Sequence, residues 1–212
     1  MLVRGAGAAF CAGGDTRRMA ADGRLPAPEE RAARLRAEHA VPLALHRLAK
    51  PTVAALPGAA AGAGLGLALA CDLRIAAERA VLTTAYVRLA LPGDYGVSWF
   101  LTRLVGPARA RELCFLGDRI DARSAEQLGL VNRVVPDAAL ADEALALARR
   151  LAAGPPIALA LMKDTLNRAL TDDLAAILDL EAERMVAGAQ TDDYLEAVAA
   201  FRARRPPVFR GR

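Results

Sequence analysis

Short apolar runs alternate with stretches of helical spacing along the first two thirds of the chain, and helical spacing alone governs the last third. Leu2-Val3-Arg4-Gly5 reads as the end of a buried strand. Over residues 29–48 the apolar positions Ala32, Leu35, Val41, Leu45 and Leu48 fall near a helical period, with Pro42 expected to break it. Thr52-Val53-Ala54-Ala55-Leu56 predicts a second buried strand, and residues 72–76 and 80–83 predict two more. Between them, residues 57–72 hold a tight glycine turn and then an apolar run without charge until Asp72, so a helix is expected to start near Gly62 or Ala63. Strand, helix, strand in this order is the mark of a parallel crossover. Helices are expected over 97–105 and after Pro107. Ser124-Ala125-Glu126-Gln127 reads as a capping box closed by Gly129, and residues 131–135 as a strand. Beyond Pro136 every element is helical. Thr171-Asp172-Asp173 caps a helix with Leu174, Ile177, Leu178 and Met185 along one face, and Thr191-Asp192-Asp193 caps a last one running to about Arg205. The pattern divides the chain into an α/β core over 1–135 and a helical region over 136–212.

Composition narrows the functional classes. The 212 residues suffice for one good-sized core, and the net charge of +4 is small. Arginines are scattered except for a cluster at 202–212, while Lys50 and Lys163 are the only lysines, which argues against a nucleic-acid partner. The uncharged run 51–71 is interrupted by Pro57 and glycines, which argues against a membrane span. Cys11, Cys71 and Cys114 are odd in number and lack CxxC spacing, so reduced thiols and a cytoplasmic location are expected, with no metal site. No signal-peptide pattern precedes Arg4.

Two small-residue loops carry the candidate chemistry. Phe10-Cys11-Ala12-Gly13-Gly14-Asp15 follows one strand, and Gly62-Ala63-Gly64 follows the next and opens a helix. Neighbouring parallel strands bring such loops together at the end of the sheet where ligands bind. Each loop can then aim a backbone N–H at one oxygen, which makes a two-donor oxyanion hole. Close helix–sheet packing explains the glycines of 57–72 equally well. A dinucleotide fingerprint fails because Leu67 stands where glycine is needed, and a phosphate loop fails for want of a Lys-Ser/Thr pair.

Arg4-Gly5-Ala6-Gly7, Phe10 to Asp15, Lys50 to Gly58 and Ala70-Cys71-Asp72 together resemble the crotonase superfamily, the enoyl-CoA hydratase/isomerase family. Residues 117–122, 129–136 and 204–209 are similar to it as well. The resemblance covers essentially the whole chain in order. It implies a spiral ββα core, a C-terminal helical trimerisation region giving a trimer or hexamer, and an acyl-CoA thioester substrate with no further cofactor. It implies that the backbone N–H groups of Ala12 and Ala63 stabilise a thioester enolate. Ala12, Gly13, Asp15, Gly62, Gly64 and Gly66 would line the substrate, and Arg17 would lie near the CoA phosphates. The acyl group would be lined by the connector after Arg17 and by the C-terminal helices.

The departures from the family matter. Its hydratases use two glutamates, at positions held here by Gly66 and Tyr86. Glycine moves no proton, and a phenol is a poor base at neutral pH. Asp94, eight residues past Tyr86, matches the aspartate of members that shift double bonds. Asp94 is therefore the candidate acid/base and Tyr86 a pocket wall or acid, while a plain turn aspartate remains open for Asp94. Isomerisation fits these residues better than hydration. The alternative is a homologue that binds CoA without chemistry. His39 and His46 are expected to pack or face solvent, since neither pairs with an evident nucleophile. The family's opening strand pair and helix have no counterpart before Leu2, which suggests a fragment, a misplaced start or a short member with an open sheet edge.

Overall fold

The structure is a computed structural model that describes residues 1–15, 17 and 27–212. Residues 16 and 18–26, most of the connector expected to line the acyl group, lie outside the described residues. The elements in order are β1 (Leu2–Arg4), α1 (Pro28–Glu38), α2 (Ala40–Arg47), β2 (Val53–Leu56), β3 (Ala60–Ala61), α3 (Ala63–Ala70), β4 (Leu73–Ala77) and β5 (Val81–Thr83). Then follow α4 (Val97–Leu104), α5 (Gly106–Leu116), β6 (Ile120–Asp121), α6 (Ala122–Gln127), β7 (Arg133–Val135), α7 (Leu140–Ala152), α8 (Pro156–Arg168), α9 (Leu174–Ala189) and α10 (Asp192–Arg202). Contacts divide the chain into one unit of Leu2–His46 with Thr52–Leu145 and another of Met1, Arg47–Pro51 and Ala146–Arg212.

The first unit is α/β. Its larger sheet has the order β1-β2-β4-β7, parallel at every pairing. A smaller sheet runs β3-β5-β6, parallel between β3 and β5 and antiparallel between β5 and β6. β2 is buried along its whole length, so it reads as a continuous apolar run without alternation. α3 is the crossover between β2 and β4, and Gly64, Leu65, Gly66, Ala68, Leu69 and Ala70 are all buried. A helix buried nearly all round has no polar face, which explains the absence of helical periodicity over 57–72.

A polar clamp fixes the two ends of this crossover. Asp72 Oδ2 accepts from Thr52 N at 2.6 Å and from Thr52 Oγ1 at 2.8 Å, and Asp72 N donates to Thr52 Oγ1 at 2.8 Å. Thr52 is fully buried, so the hydroxyl has to be satisfied by its neighbours. Arg74, only 3% exposed, donates Nε to Leu130 O at 2.7 Å and Nη1 to Cys71 O at 2.6 Å. Burial lowers its pKa, and these carbonyls replace the water that the guanidinium gave up. Asn132 sets the last strand pairing: its Oδ1 accepts from Arg74 N at 2.8 Å, and its own N–H donates to Arg74 O at 2.9 Å.

Several local expectations shift. The helix over 29–48 breaks at His39, not at Pro42, which sits in the first turn of α2 where a missing N–H costs nothing. The cap of α6 is Asp121, which accepts from Ser124 N at 2.8 Å. Glu126 leaves the expected capping box to accept from Val134 N at 2.9 Å.

The second unit is helical. Asp193, nearly buried, accepts from Arg210 N at 2.6 Å and Gly211 N at 2.9 Å, which ties the C-terminal segment to α10. Ile177 is buried, but Leu174 (73% exposed), Leu178 and Met185 (75% exposed) face outward, so the apolar stripe of α9 is mostly uncovered.

Thr52→Val keeps the volume and removes the hydroxyl. It strands the Asp72 N–H and one acceptor site of its carboxylate, so denaturant unfolding should show a loss of about 1–3 kcal/mol.

Candidate active site

The two small-residue loops meet backbone to backbone. Phe10 N and Cys11 N donate to Ala59 O at 3.0 and 3.1 Å, and Ala61 N donates to Cys11 O at 3.0 Å. This bridge continues the smaller sheet by a single residue pair, Cys11 with Ala60. Gly64 makes the approach possible, because a Cβ there would sit 2.1 Å from Cys11 O. A Cβ on Gly13 would lie 2.7 Å from Ala61 O and 3.3 Å from Ala63 N, so the segment after Ala12 runs directly beside the start of α3.

Ala63 is the first residue of α3, and Gly62 caps the helix with no side-chain hydrogen bond. The first N–H groups of a helix lack internal partners, and here no side chain takes their place. Among the described residues neither Ala12 N nor Ala63 N donates a backbone hydrogen bond outside regular elements. Ala12 is exposed and Ala63 half-buried, so a ligand oxygen can reach this corner from solvent. The positive end of α3 adds to any pull on negative charge.

Asp94 lies in the loop before α4. Its Oδ1 accepts from Tyr95 N at 2.8 Å and also from Nε2 of His39 at the end of α1. The Asp94 side chain is 24% exposed and that of His39 is 43% exposed. The loop is held in unusual backbone: Gly93 has φ 128°, Tyr95 54° and Gly96 75°. A positive φ at a bulky residue such as Tyr95 costs free energy that the surroundings must repay. Tyr95 packs against α3 so closely that a Cβ on Gly66 would sit 2.6 Å from Tyr95 O and 2.7 Å from Tyr95 Cβ. Asp94 is thereby anchored one residue from the turn of helix that begins at Ala63.

Tyr86 closes the other side. A Cβ on Gly62 would be 3.7 Å from Tyr86 Cζ. The phenol oxygen is buried and has no hydrogen-bond partner among the described residues. Burial first, then the charges of Asp94 and Tyr95, push its pKa well above the ordinary value. Tyr86 therefore stays protonated and can donate but cannot act as a base.

Arg17 is exposed and grips Asp15, with Nε on Oδ1 at 2.9 Å and Nη2 on Oδ2 at 3.0 Å. That fork holds the Asp15 carboxyl below its usual pKa. His46 packs edge-on against Trp99 and Phe100, as expected for a packing histidine. His39 departs from the expected packing or solvent role, since its Nε2 meets Asp94 Oδ1. The described residues contain no cluster of three or more His, Cys, Asp or Glu side chains placed to hold a metal ion.

Comparison with known proteins gives the same assignment along the whole chain. The family model for enoyl-CoA hydratase/isomerase matches residues 1–212. The chain is 41% identical over 212 residues to 1,2-epoxyphenylacetyl-CoA isomerase of Escherichia coli, covering all of this chain and 81% of that protein. It is 39% identical to a probable enoyl-CoA hydratase of Rhodobacter capsulatus, again over all of this chain and 81% of the relative. A crystal structure of an enoyl-CoA hydratase from Polaromonas sp. JS666 superposes with a TM-score of 0.94 at 40% identity, covering 99% of this chain and 81% of that one. The chain belongs to the enoyl-CoA hydratase/isomerase family, and its α/β fold is the crotonase fold.

Proposed function

We propose that the protein isomerises a double bond in an acyl-CoA thioester, using the Ala12 and Ala63 N–H groups as the oxyanion hole and Asp94 as the acid/base. The observation that carries this reading is the position of Asp94. It is a half-buried carboxylate on a loop packed against the helix whose first N–H belongs to Ala63. With a 3-enoyl thioester, Asp94 takes a proton from C2. The C–H electron pair moves into a dienolate, whose negative charge rests on the thioester oxygen between the two N–H groups. Asp94 then returns the proton at C4, leaving the double bond between C2 and C3. Two fixed donors are worth several kcal/mol to such an oxyanion (~3–4 kcal/mol each in acyl-transfer sites). No cofactor beyond the substrate's CoA is needed.

Hydration needs a second proton-moving group to activate water. Gly66 offers none, and the protonated Tyr86 phenol serves as a pocket wall. The Escherichia coli relative is named an isomerase of an epoxide thioester and the Rhodobacter capsulatus relative a probable hydratase, so the preference rests on the residues and not on the names. The second reading, a homologue that binds CoA without turning it over, draws on the absence of both glutamates. Asp15, Gly13, Gly62 and Gly64 would line the thioester, with Arg17 toward the CoA phosphates once it leaves Asp15.

A homo-oligomer, trimer or hexamer, is part of the proposal. The outward apolar side chains of the helical unit support it, among them Met162 (58% exposed), Leu166 (63%) and Phe201 (85%). A cytoplasmic location fits Cys11, Cys71 and Cys114, none of which forms a disulfide among the described residues.

Incubation with 3-enoyl-CoA should give 2-enoyl-CoA. Asp94→Asn should lower kcat by about 10²–10⁴-fold, the usual worth of a positioned acid/base, while Tyr86→Phe keeps turnover within a few-fold. Full activity in Asp94→Asn would refute Asp94 as the base. Binding of CoA with no turnover of 2-enoyl, 3-enoyl or dienoyl thioesters would select the second reading. Restoring the family's carboxylate with Gly66→Glu should not restore hydration. The new Cβ meets Tyr95 backbone, so thermal or denaturant unfolding should show a loss of about 1–3 kcal/mol.

A further inference from the structure

We infer that His39 is the positioning residue of this site: it occupies Asp94 Oδ1 and so leaves Oδ2 as the oxygen that takes the proton. The inference rests on the reading of Asp94 as the base.

A carboxylate oxygen has room for two donors. Asp94 Oδ1 has both, from Tyr95 N at 2.8 Å and from His39 Nε2. No hydrogen bond to Oδ2 is found among the described residues. The two oxygens are thus unequal, one fixed and one open. Because an ionised carboxylate only accepts, the proton of His39 sits on Nε2.

The groups around the pair leave this task to His39. Tyr95 contributes its backbone N–H, and its phenol is raised above its ordinary pKa, chiefly by burial. The Tyr86 phenol is neutral and buried. Cys11 and Glu38 are near enough to act on Tyr95 electrostatically. Glu38 is itself engaged by Arg34 Nε at 2.9 Å, which offsets its charge.

The geometry of His39 suits a tether. It caps α1 with its own N–H on Leu35 O at 2.9 Å, so its backbone is fixed. Its ring stands edge-on to Tyr95, centroids 5.9 Å apart at 86°. Asp94 itself sits in a loop whose neighbours Gly93 and Gly96 have φ values of 128° and 75°, backbone that glycine tolerates in more than one arrangement. A side chain on such a loop needs a second anchor to hold one rotamer.

The test compares the full chain with His39→Gln, His39→Met and Asp94→Asn on 3-enoyl-CoA. Gln and Met have similar size, but only Gln keeps an N–H donor. His39→Met should lower kcat about 10–100-fold with KM nearly unchanged, the worth of one hydrogen bond to a charged group. His39→Gln should recover most of that loss. An unchanged KM in both variants reports an intact binding site. Equal kcat in His39→Gln and His39→Met, with Asp94→Asn inactive, would overturn the role of His39 and leave Asp94 as the base. Full activity in Asp94→Asn, or no turnover by the unsubstituted chain, would overturn the base assignment and this inference with it.

Discussion

Cys11 O accepts from Ala61 N at 3.0 Å, and a methyl group on Gly64 would lie 2.1 Å from that same oxygen. No side chain fits between these two backbones. The contact exists because residues 57–66 are glycine and alanine apart from Pro57 and Leu65, and because residues 5–14 are glycine and alanine apart from Phe10 and Cys11. Much else in the first unit depends on it. The contact sets where α3 begins, and so where the first free N–H points. It holds the Ala12–Gly13 segment beside Ala63. The Thr52–Asp72 clamp fixes the far end of the crossover, so α3 cannot slide to relieve the crowding.

The other side of the site is built around this rigid corner. Tyr95 fills the space beside Gly66 and brings Asp94 with it. Gly66 thereby admits the loop that carries Asp94, the acid/base of the proposed reaction. Tyr86 buries its phenol on the remaining side and keeps it protonated, which is why the proposed reaction gives the proton chemistry to Asp94.

Most of the fold was legible in the sequence. Strands such as β2 announce themselves as short apolar runs, and glycine turns and Pro136 mark their ends, because these signals are local. The two loops and their adjacency followed from parallel topology. The cap of α6 misled because Ser124 and Asp121 are both good caps, and only the fold lets Glu126 reach Val134 N. The outward face of α9 misled because periodicity shows which residues share a face, not whether that face is covered. His39 was illegible for a plainer reason. Its partner is 55 positions away, and nothing near it in sequence differs from an ordinary arginine-rich helix.

In the proposed site, two backbone N–H groups on separate loops receive one thioester oxygen. A crystal structure of the protein with a bound acyl-CoA thioester tests it most directly. The proposed site puts the carbonyl oxygen at about 3 Å from both Ala12 N and Ala63 N, the distance of an ordinary N–H···O bond. A thioester oxygen lying away from both N–H groups would contradict it.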